Sequence, residues 1–180
     1  MWHPERENNL KEKFKLLDVF DERKNGWVNL KAIILAAGEG KRLRPLTNEL
    51  PKCLVKLFGK SILERQIEIY RKSKIKDIII VTGYKKEKIK ILNIHEYINK
   101  EFDSTNMLET LFCAKNELEG SVIISYGDII FEKKILDSLI NSKEDFSVII
   151  DKKWKEYWFA RMDEPIKDAE SLKLNSNGYI

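Results

Sequence analysis

The chain has 180 residues, 43% hydrophobic and 34% charged, which is enough apolar material for one core and far too much order-promoting content for a disordered chain. A formal net charge of +4, with acids interspersed among the lysines, argues against a nucleic-acid binder. No apolar run approaches the roughly 20 residues of a membrane helix and no charged-then-apolar leader stands at the N-terminus, so a cytoplasmic protein without a membrane span is expected.

In chain order, Leu10, Phe14 and Leu17 recur at helical spacing, Phe20 continues the stripe and Asn25-Gly26 ends it. Residues 1–28 are therefore expected to form an extension with one amphipathic helix, ahead of a domain over 29–180. The run Ala32 to Ala36 is short, apolar and non-alternating, as a strand covered on both faces should be. Gly38 and Gly40 then break it, and two glycines one residue apart let the backbone take left-handed angles and bring its N–H groups close to an anion with no side chain in the way. The loop does not fit three commoner glycine patterns: Leu43 breaks GxGxxG, no GxxxxGK precedes Ser or Thr, and no HRD or DFG motif follows. Arg42 offers a planar donor fork for phosphate oxygens, and Lys52 a point charge from a separate loop stiffened by Pro45 and Pro51. Cys53 and Cys113 lie far apart without metal-ligand spacing, so neither a disulfide nor zinc is expected.

Ser61 followed by Glu64 is a capping box, and Leu63, Ile67 and Tyr70 give the helix behind it an apolar face. Asp77 to Thr82 reads as a second buried strand closed by Gly83-Tyr84, completing a right-handed βαβ unit whose strand ends share one edge of a parallel sheet. Ile94 to Asn99 is a candidate outer strand. Ser104, Thr105 and Asn106 suit a helix start, and Leu108, Leu111, Phe112 and Leu118 predict a helix capped by Gly120. Ser121 to Tyr126 is a third apolar strand with Gly127-Asp128 at its end. Ile135, Leu136, Leu139 and Ile140 mark another helix, and Phe146 to Ile150 a fourth strand ending in Asp151. Trp154, Tyr157, Trp158 and Phe159 then cluster, either as core packing or as faces for a quaternary ammonium.

Gly38, Gly40, Arg42, Leu43, Pro45, Leu46, Thr47, Pro51, Lys52 and Leu54 together resemble the signature of the nucleotidyltransferases that make nucleoside-diphosphate sugars and CDP-alcohols. Lys41 departs from the Ser or Thr expected in many relatives. The stretches Thr105 to Leu111, Ser125 to Ile129 and the aromatic segment from Asp151 are similar to the choline-phosphate cytidylyltransferase branch. This resemblance implies a Rossmann-like α/β fold of the nucleotide-diphospho-sugar transferase type, with a mostly parallel central sheet flanked by helices. It implies a nucleotide site built from Leu35, Ala36, Ala37, Gly38, Glu39, Gly40, Lys41 and Arg42, with Gly83, Tyr84 and Asn106 near the base. Asn106 also reads as a helix N-cap, and one residue can do both. Asp128 reads either as a turn aspartate or as the ligand of a Mg2+ ion, and the resemblance favours the metal.

The implied reaction transfers CMP from CTP to a small phosphorylated alcohol or phosphonate such as phosphocholine, with loss of pyrophosphate. Arg42 and Lys52 are the expected catalytic cations, Arg42 along the triphosphate where charge develops on the leaving pyrophosphate and Lys52 nearer the acceptor or the α-phosphate. A phosphomonoester acceptor is largely dianionic near neutral pH, so no general base is required and neither His3 nor His95 need take part. A sugar 1-phosphate acceptor and a non-catalytic nucleotide-binding module are the alternatives. In the resembled family a second metal-bearing carboxylate lies well downstream, so the C-terminal part of the fold is expected to be incomplete, ending in a hairpin turn at Asn177-Gly178, and the isolated chain to self-associate or to need a partner segment. Asp151, Asp163 and Asp168 are the candidates for that carboxylate within the chain.

Overall fold

The first apolar run forms β1 (Lys31–Ala36), in which Ala32, Ile33 and Ile34 are fully covered. The structure, a computed structural model, describes residues 29–161 together with 163, 164, 166, 175 and 176. The helix expected within residues 1–28, the turn at Asn177-Gly178 and Asp168 lie outside the described residues.

A hairpin that the sequence reading did not anticipate follows the glycine loop. β2 (Lys56–Leu57) and β3 (Lys60–Ser61) pair antiparallel around Phe58 and Gly59, which both take positive φ, 48° and 81°. Such angles belong to the two-residue turns whose twist matches that of the flanking strands. Ser61 then caps α1 (Ile62–Lys72): its hydroxyl accepts from the Glu64 amide at 3.2 Å, and the Glu64 carboxylate accepts from the Ser61 amide at 2.7 Å. This is the predicted capping box, and Leu63, Ile67 and Tyr70 are buried as their spacing requires.

β4 (Asp77–Thr82) coincides with the predicted strand and lies parallel to β1. β5 (His95–Ile98) pairs parallel to β4 on its far side. α2 (Met107–Phe112) is shorter than predicted, because the stripe expected to reach Leu118 turns into a 3-10 segment at Lys115–Glu117. Glu117 accepts from Lys31 Nζ at 2.8 Å and from the Tyr97 hydroxyl at 2.7 Å, and these tertiary bonds hold the segment against the sheet. Gly120, at φ 80°, therefore turns the chain into the next strand instead of capping α2. That strand, β6 (Val122–Tyr126), pairs parallel to the free side of β1, giving the order β5-β4-β1-β6.

Lateral partners in a parallel sheet share a face. Ile34, Ile80 and Ser125 stand on one side, where Gln66 of α1 bonds the Ser125 hydroxyl at 3.3 Å. Ile33, Leu35, Ile79 and Val81 form the core on the other side with Leu111 of α2 and Ala114. Helices thus cover both faces, which explains why β1 and β4 are apolar without alternation and agrees with the predicted fold class.

The chain divides into two compact units, Met1–Asp137 and Ser138–Ile180, with α3 (Lys133–Ile140) running through the division. In the second unit, the strand predicted over Phe146 to Ile150 is absent. Phe146 is 71% exposed and Val148, Ile149 and Ile150 are exposed too, with no ladder partner among the described residues. Apolarity favours a strand only where an edge is available to pair with it. The aromatic segment forms α4 (Trp154–Phe159), of which no residue is buried, so core packing is not its role within the unit. Trp154 and Trp158 meet edge to face at 5.8 Å, and the Arg161 guanidinium sits 4.1 Å from the centre of the Tyr157 ring. No helix among the described residues is long and apolar enough to cross a membrane.

Candidate functional site

β4 and β5 extend the sheet to one side of β1, and β6 returns to the other. The reversal falls between β1 and β6, and in open parallel sheets the crevice at such a switch point, outside the carboxyl ends of the strands, is where ligands sit. A cleft of about 350 Å³ opens there, within the first unit. Leu35 and Ala36 line it at the end of β1, the loop from Gly38 through Leu43 forms one wall, and Gly127 and Asp128 rise from the end of β6. Lys52 and Cys53 close the floor, and Phe102, Asp103 and Met107 form the wall opposite.

The loop is held by its backbone. Gly40 takes φ 65° and ψ 38°, and its carbonyl accepts from the Leu43 amide and from the Thr47 hydroxyl, both at 2.9 Å. Thr47 is itself fully buried, so the anchor is rigid. Of the two glycines that permit left-handed angles only Gly40 adopts one; Gly38 is not among the residues with positive φ, and a Cβ there would meet nothing within 4 Å. Its lack of a side chain keeps the cleft open and does not serve the turn. Glu39 places a carboxylate in the same loop, and Lys41 Nζ and Arg44 Nη2 each lie 3.1 Å from it. The unusual lysine at position 41 is therefore neutralised locally. Arg42 lies in the 3-10 turn Lys41–Leu43 and lines the cleft.

Lys52 and Asp128, 76 positions apart, form a direct ion pair across the floor. Each side chain is about one-third exposed, at 34% and 35%, so the pair is open to a ligand. Sequence spacing gave no sign of this pairing; it arises because β6 docks beside β1 and brings its terminal turn over the Lys52 loop. Next to the pair, burial pushes the Cys53 thiol up to about 12, which leaves it an un-ionised part of the floor.

Gly83, Tyr84 and Asn106 do not line the cleft; they brace it from behind. A Cβ on Gly83 would fall 2.7 Å from Phe102 Cβ and 2.8 Å from the Ala37 carbonyl, so glycine permits the loop after β5 to close on the loop after β1. Ala37, also buried and outside the lining, accepts from the Tyr84 amide at 2.9 Å, while the Tyr84 hydroxyl donates to the carbonyls of Thr47 and Asn48 at 3.1 Å. Asn106 uses its side-chain oxygen to cap α2, accepting from the amides of Leu108 and Glu109. Phe102, Asp103 and Met107, which the sequence reading did not single out, line the cleft on that side. A buried asparagine supports that wall: Asn99 donates to the hydroxyls of Thr105 and Thr110 at 2.9 and 3.0 Å and accepts from the Glu101 amide. The available signal was position, between the end of a parallel strand and the first turn of the next helix.

Among the described residues no group of three or more His, Cys, Asp or Glu side chains is arranged to hold a metal ion. In the second unit Asp151 accepts from the Lys153 amide at 2.8 Å, which makes it a local turn residue.

These features agree with known proteins. A family model described as a MobA-like NTP transferase domain matches residues 32–165. CTP:phosphoglutamine cytidylyltransferase of Campylobacter jejuni is 42% identical over 162 residues, covering 84% of this chain and 64% of its own length. Choline-phosphate cytidylyltransferase of Streptococcus pneumoniae is 35% identical over 155 residues, covering 84% of this chain and 67% of its own. A solved structure of CTP:phosphocholine cytidylyltransferase from S. pneumoniae superposes with a TM-score of 0.50 and 41% identity, over 54% of this chain and 45% of that one. Because the family match begins within the buried core of β1 and runs past Gly127-Asp128, it takes in both sides of the switch-point cleft, and the chain belongs to the MobA-like NTP transferase domain family.

Proposed function

We propose that the protein transfers CMP from CTP to a small phosphorylated acceptor and releases pyrophosphate. The observation that carries this reading is the switch-point cleft itself, which holds a glycine loop with Arg42 on one wall and the Lys52–Asp128 pair on the floor. The choice of CTP rests on the two cytidylyltransferase relatives.

In this reading the triphosphate lies along the loop, where the backbone around Gly38 to Lys41 and the Arg42 guanidinium meet its oxygens. An oxygen of the acceptor phosphate attacks the α-phosphorus, the bond from that phosphorus to the bridging oxygen of pyrophosphate breaks, and the leaving group carries away the electron pair. Negative charge gathers on the pyrophosphate, so cations fixed along it lower the barrier. Lys52 is suited to the α-phosphate or the acceptor phosphate, because its ammonium reaches over the floor from a loop of its own. The base lies against Phe102 and Met107, whose apolar surfaces suit a planar ring.

The donor set fits Mg2+ in a limited way. Mg2+ is commonly held by one or two carboxylates together with phosphate oxygens and water, and Asp128 supplies one hard oxygen ligand at the cleft floor. When bound, the ion neutralises triphosphate charge that Arg42 and Lys52 leave uncompensated. Without nucleotide, Lys52 balances Asp128, which keeps the carboxylate oriented and the floor near neutral.

For the acceptor, the two relatives differ: CTP:phosphoglutamine cytidylyltransferase is 42% identical to this chain and choline-phosphate cytidylyltransferase 35%, which favours a phosphorylated amino acid such as phosphoglutamine over phosphocholine. Pyrophosphate release decides the reading, measured with CTP, UTP, ATP and GTP against phosphoglutamine, phosphocholine and a sugar 1-phosphate. Release with CTP and phosphoglutamine is expected. Release only with another nucleotide or a sugar 1-phosphate would overturn the assignment, and CTP binding without release from any pair would indicate a sensor.

A further inference from the structure

The chemistry proposed above uses Asp128 but leaves unexplained a glutamine buried directly beneath it. Gln66 is 1% exposed and lies on the α1 stripe that otherwise presents Leu63, Ile67 and Tyr70. A leucine would fill such a position without a polar group to satisfy, so the amide calls for a reason. Its partners supply one. Gln66 Nε2 donates to the carbonyl of Tyr126 at 2.9 Å and to the carbonyl of Ile129 at 2.7 Å, while its oxygen accepts from the Ser125 hydroxyl at 3.3 Å. Residues 126 and 129 bracket Gly127-Asp128. One amide group therefore closes the turn at both ends from below.

From the sheet side, the Gly127 amide donates to the Leu35 carbonyl at 2.7 Å. A Cβ on Gly127 would lie 2.8 Å from Ala36 Cβ and 3.0 Å from the Leu35 carbonyl, so the turn is pressed onto the end of β1. Asp128 is left between two carbonyls held by one amide, with its side chain paired to Lys52. α1 also packs on the 3-10 segment Lys52–Leu54, so the same helix supports the other half of the ion pair.

We propose that Gln66 is a positioning residue that fixes the Tyr126–Ile129 turn and thereby sets Asp128 for the metal–nucleotide complex; the inference rests on the proposed role of Asp128. A second-tier partner of this kind typically changes metal affinity 10- to 100-fold when removed.

The test compares Gln66→Met, Asp128→Asn and the double variant in the full chain. Mn2+ affinity in the presence of CTP is read by the electron paramagnetic resonance of free Mn2+, beside turnover against Mg2+ concentration and the thermal midpoint. Gln66→Met is expected to weaken Mn2+ binding about 10-fold or more and to shift the Mg2+ requirement upward by a similar factor. In the Asp128→Asn background it should add almost nothing to either loss. Gln66→Glu provides the second variant: as a neutral buried acid it keeps one donor, so its Mn2+ affinity should lie between those of wild type and Gln66→Met and fall with rising pH beyond the wild-type dependence. A Gln66→Met protein that loses thermal stability yet keeps wild-type Mn2+ affinity would overturn the clamp, as would losses that add fully in the double variant. If Gln66→Met does not fold, a Gln66→Glu protein with wild-type affinity at every pH overturns it equally. Undiminished Mn2+ affinity in Asp128→Asn alone is a separate result, which removes the metal role of Asp128 and the inference with it.

Discussion

Gly38 and Gly40 look alike in sequence, yet the structure assigns them different costs on substitution. Gly40 has φ 65°, and an alanine held in the left-handed region costs about 1–2 kcal/mol. Its new Cβ would stand 3.0 Å from Lys52 Cβ and 3.2 Å from Thr47 Cγ2. Thr47 is buried and bonded to the Gly40 carbonyl, so it cannot withdraw, and the strain passes to Lys52. For a chain of this size each kcal/mol moves the melting temperature by about 2–4 °C, so Gly40→Ala should melt about 2–8 °C lower. Gly38→Ala has no clash within 4 Å and no unusual φ, so its stability should stay within about 0.5 kcal/mol of wild type. Its methyl group instead enters the cleft, so CTP binding should weaken while the melting temperature holds. Differential scanning calorimetry and isothermal titration with CTP separate the two variants. Equal melting temperatures for Gly38→Ala and Gly40→Ala would refute the conformational argument, and unaltered CTP affinity in Gly38→Ala would refute the placement of the phosphates along this loop.

Arg42→Ala should lower turnover on the order of 10² or more while leaving the folded fraction intact, by loss of a charge-assisted contact made as the pyrophosphate leaves; near-normal kcat/KM would remove it from the site. Asp128→Asn should raise the Mg2+ concentration for half-maximal activity sharply but alter stability by less than about 1 kcal/mol, since the pair with Lys52 is partly exposed; this is read from activity and melting curves at several Mg2+ concentrations. Alkaline stability gives an independent check on the floor. Burial raises the Cys53 thiol from 9.0 to about 12 and the Tyr70 phenol from 10.0 to about 12, so above pH 9 the unfolded chain sheds protons that the folded chain retains. Stability should therefore fall from about pH 9 towards 12, by at most about 4 kcal/mol from Cys53. Cys53→Ala should flatten the first part of that slope in denaturant titrations, and an unchanged slope would contradict the burial.

What the sequence disclosed was local or periodic. β4 matched its predicted bounds because six consecutive positions carry one signal, and the α1 cap was legible because Ser61 and Glu64 meet within a single turn. The glycine loop was legible as a motif but not in its division of labour, because spacing cannot tell a glycine that must turn from one that must leave room. Phe102, Asp103 and Met107 escaped notice because no motif contains them; Phe102 reaches the cleft where it packs closely on Gly83. Phe146 to Ile150 failed in the opposite direction, since an apolar run gives no account of the edge it would pair with. Gln66 is the instructive case. It occupies the i+3 position of the stripe Leu63, Ile67, Tyr70, so helical periodicity alone puts its amide inside the protein. A buried amide must find partners, and the backbone groups of an α1 interior are already bonded to one another. Its partners therefore had to lie on another element at a point where backbone carbonyls lack a ladder, which in a parallel sheet means a strand end. The polar residue out of place on an apolar face was thus a sequence-level pointer to the turn that carries Asp128, although only the fold reveals which strand end it serves.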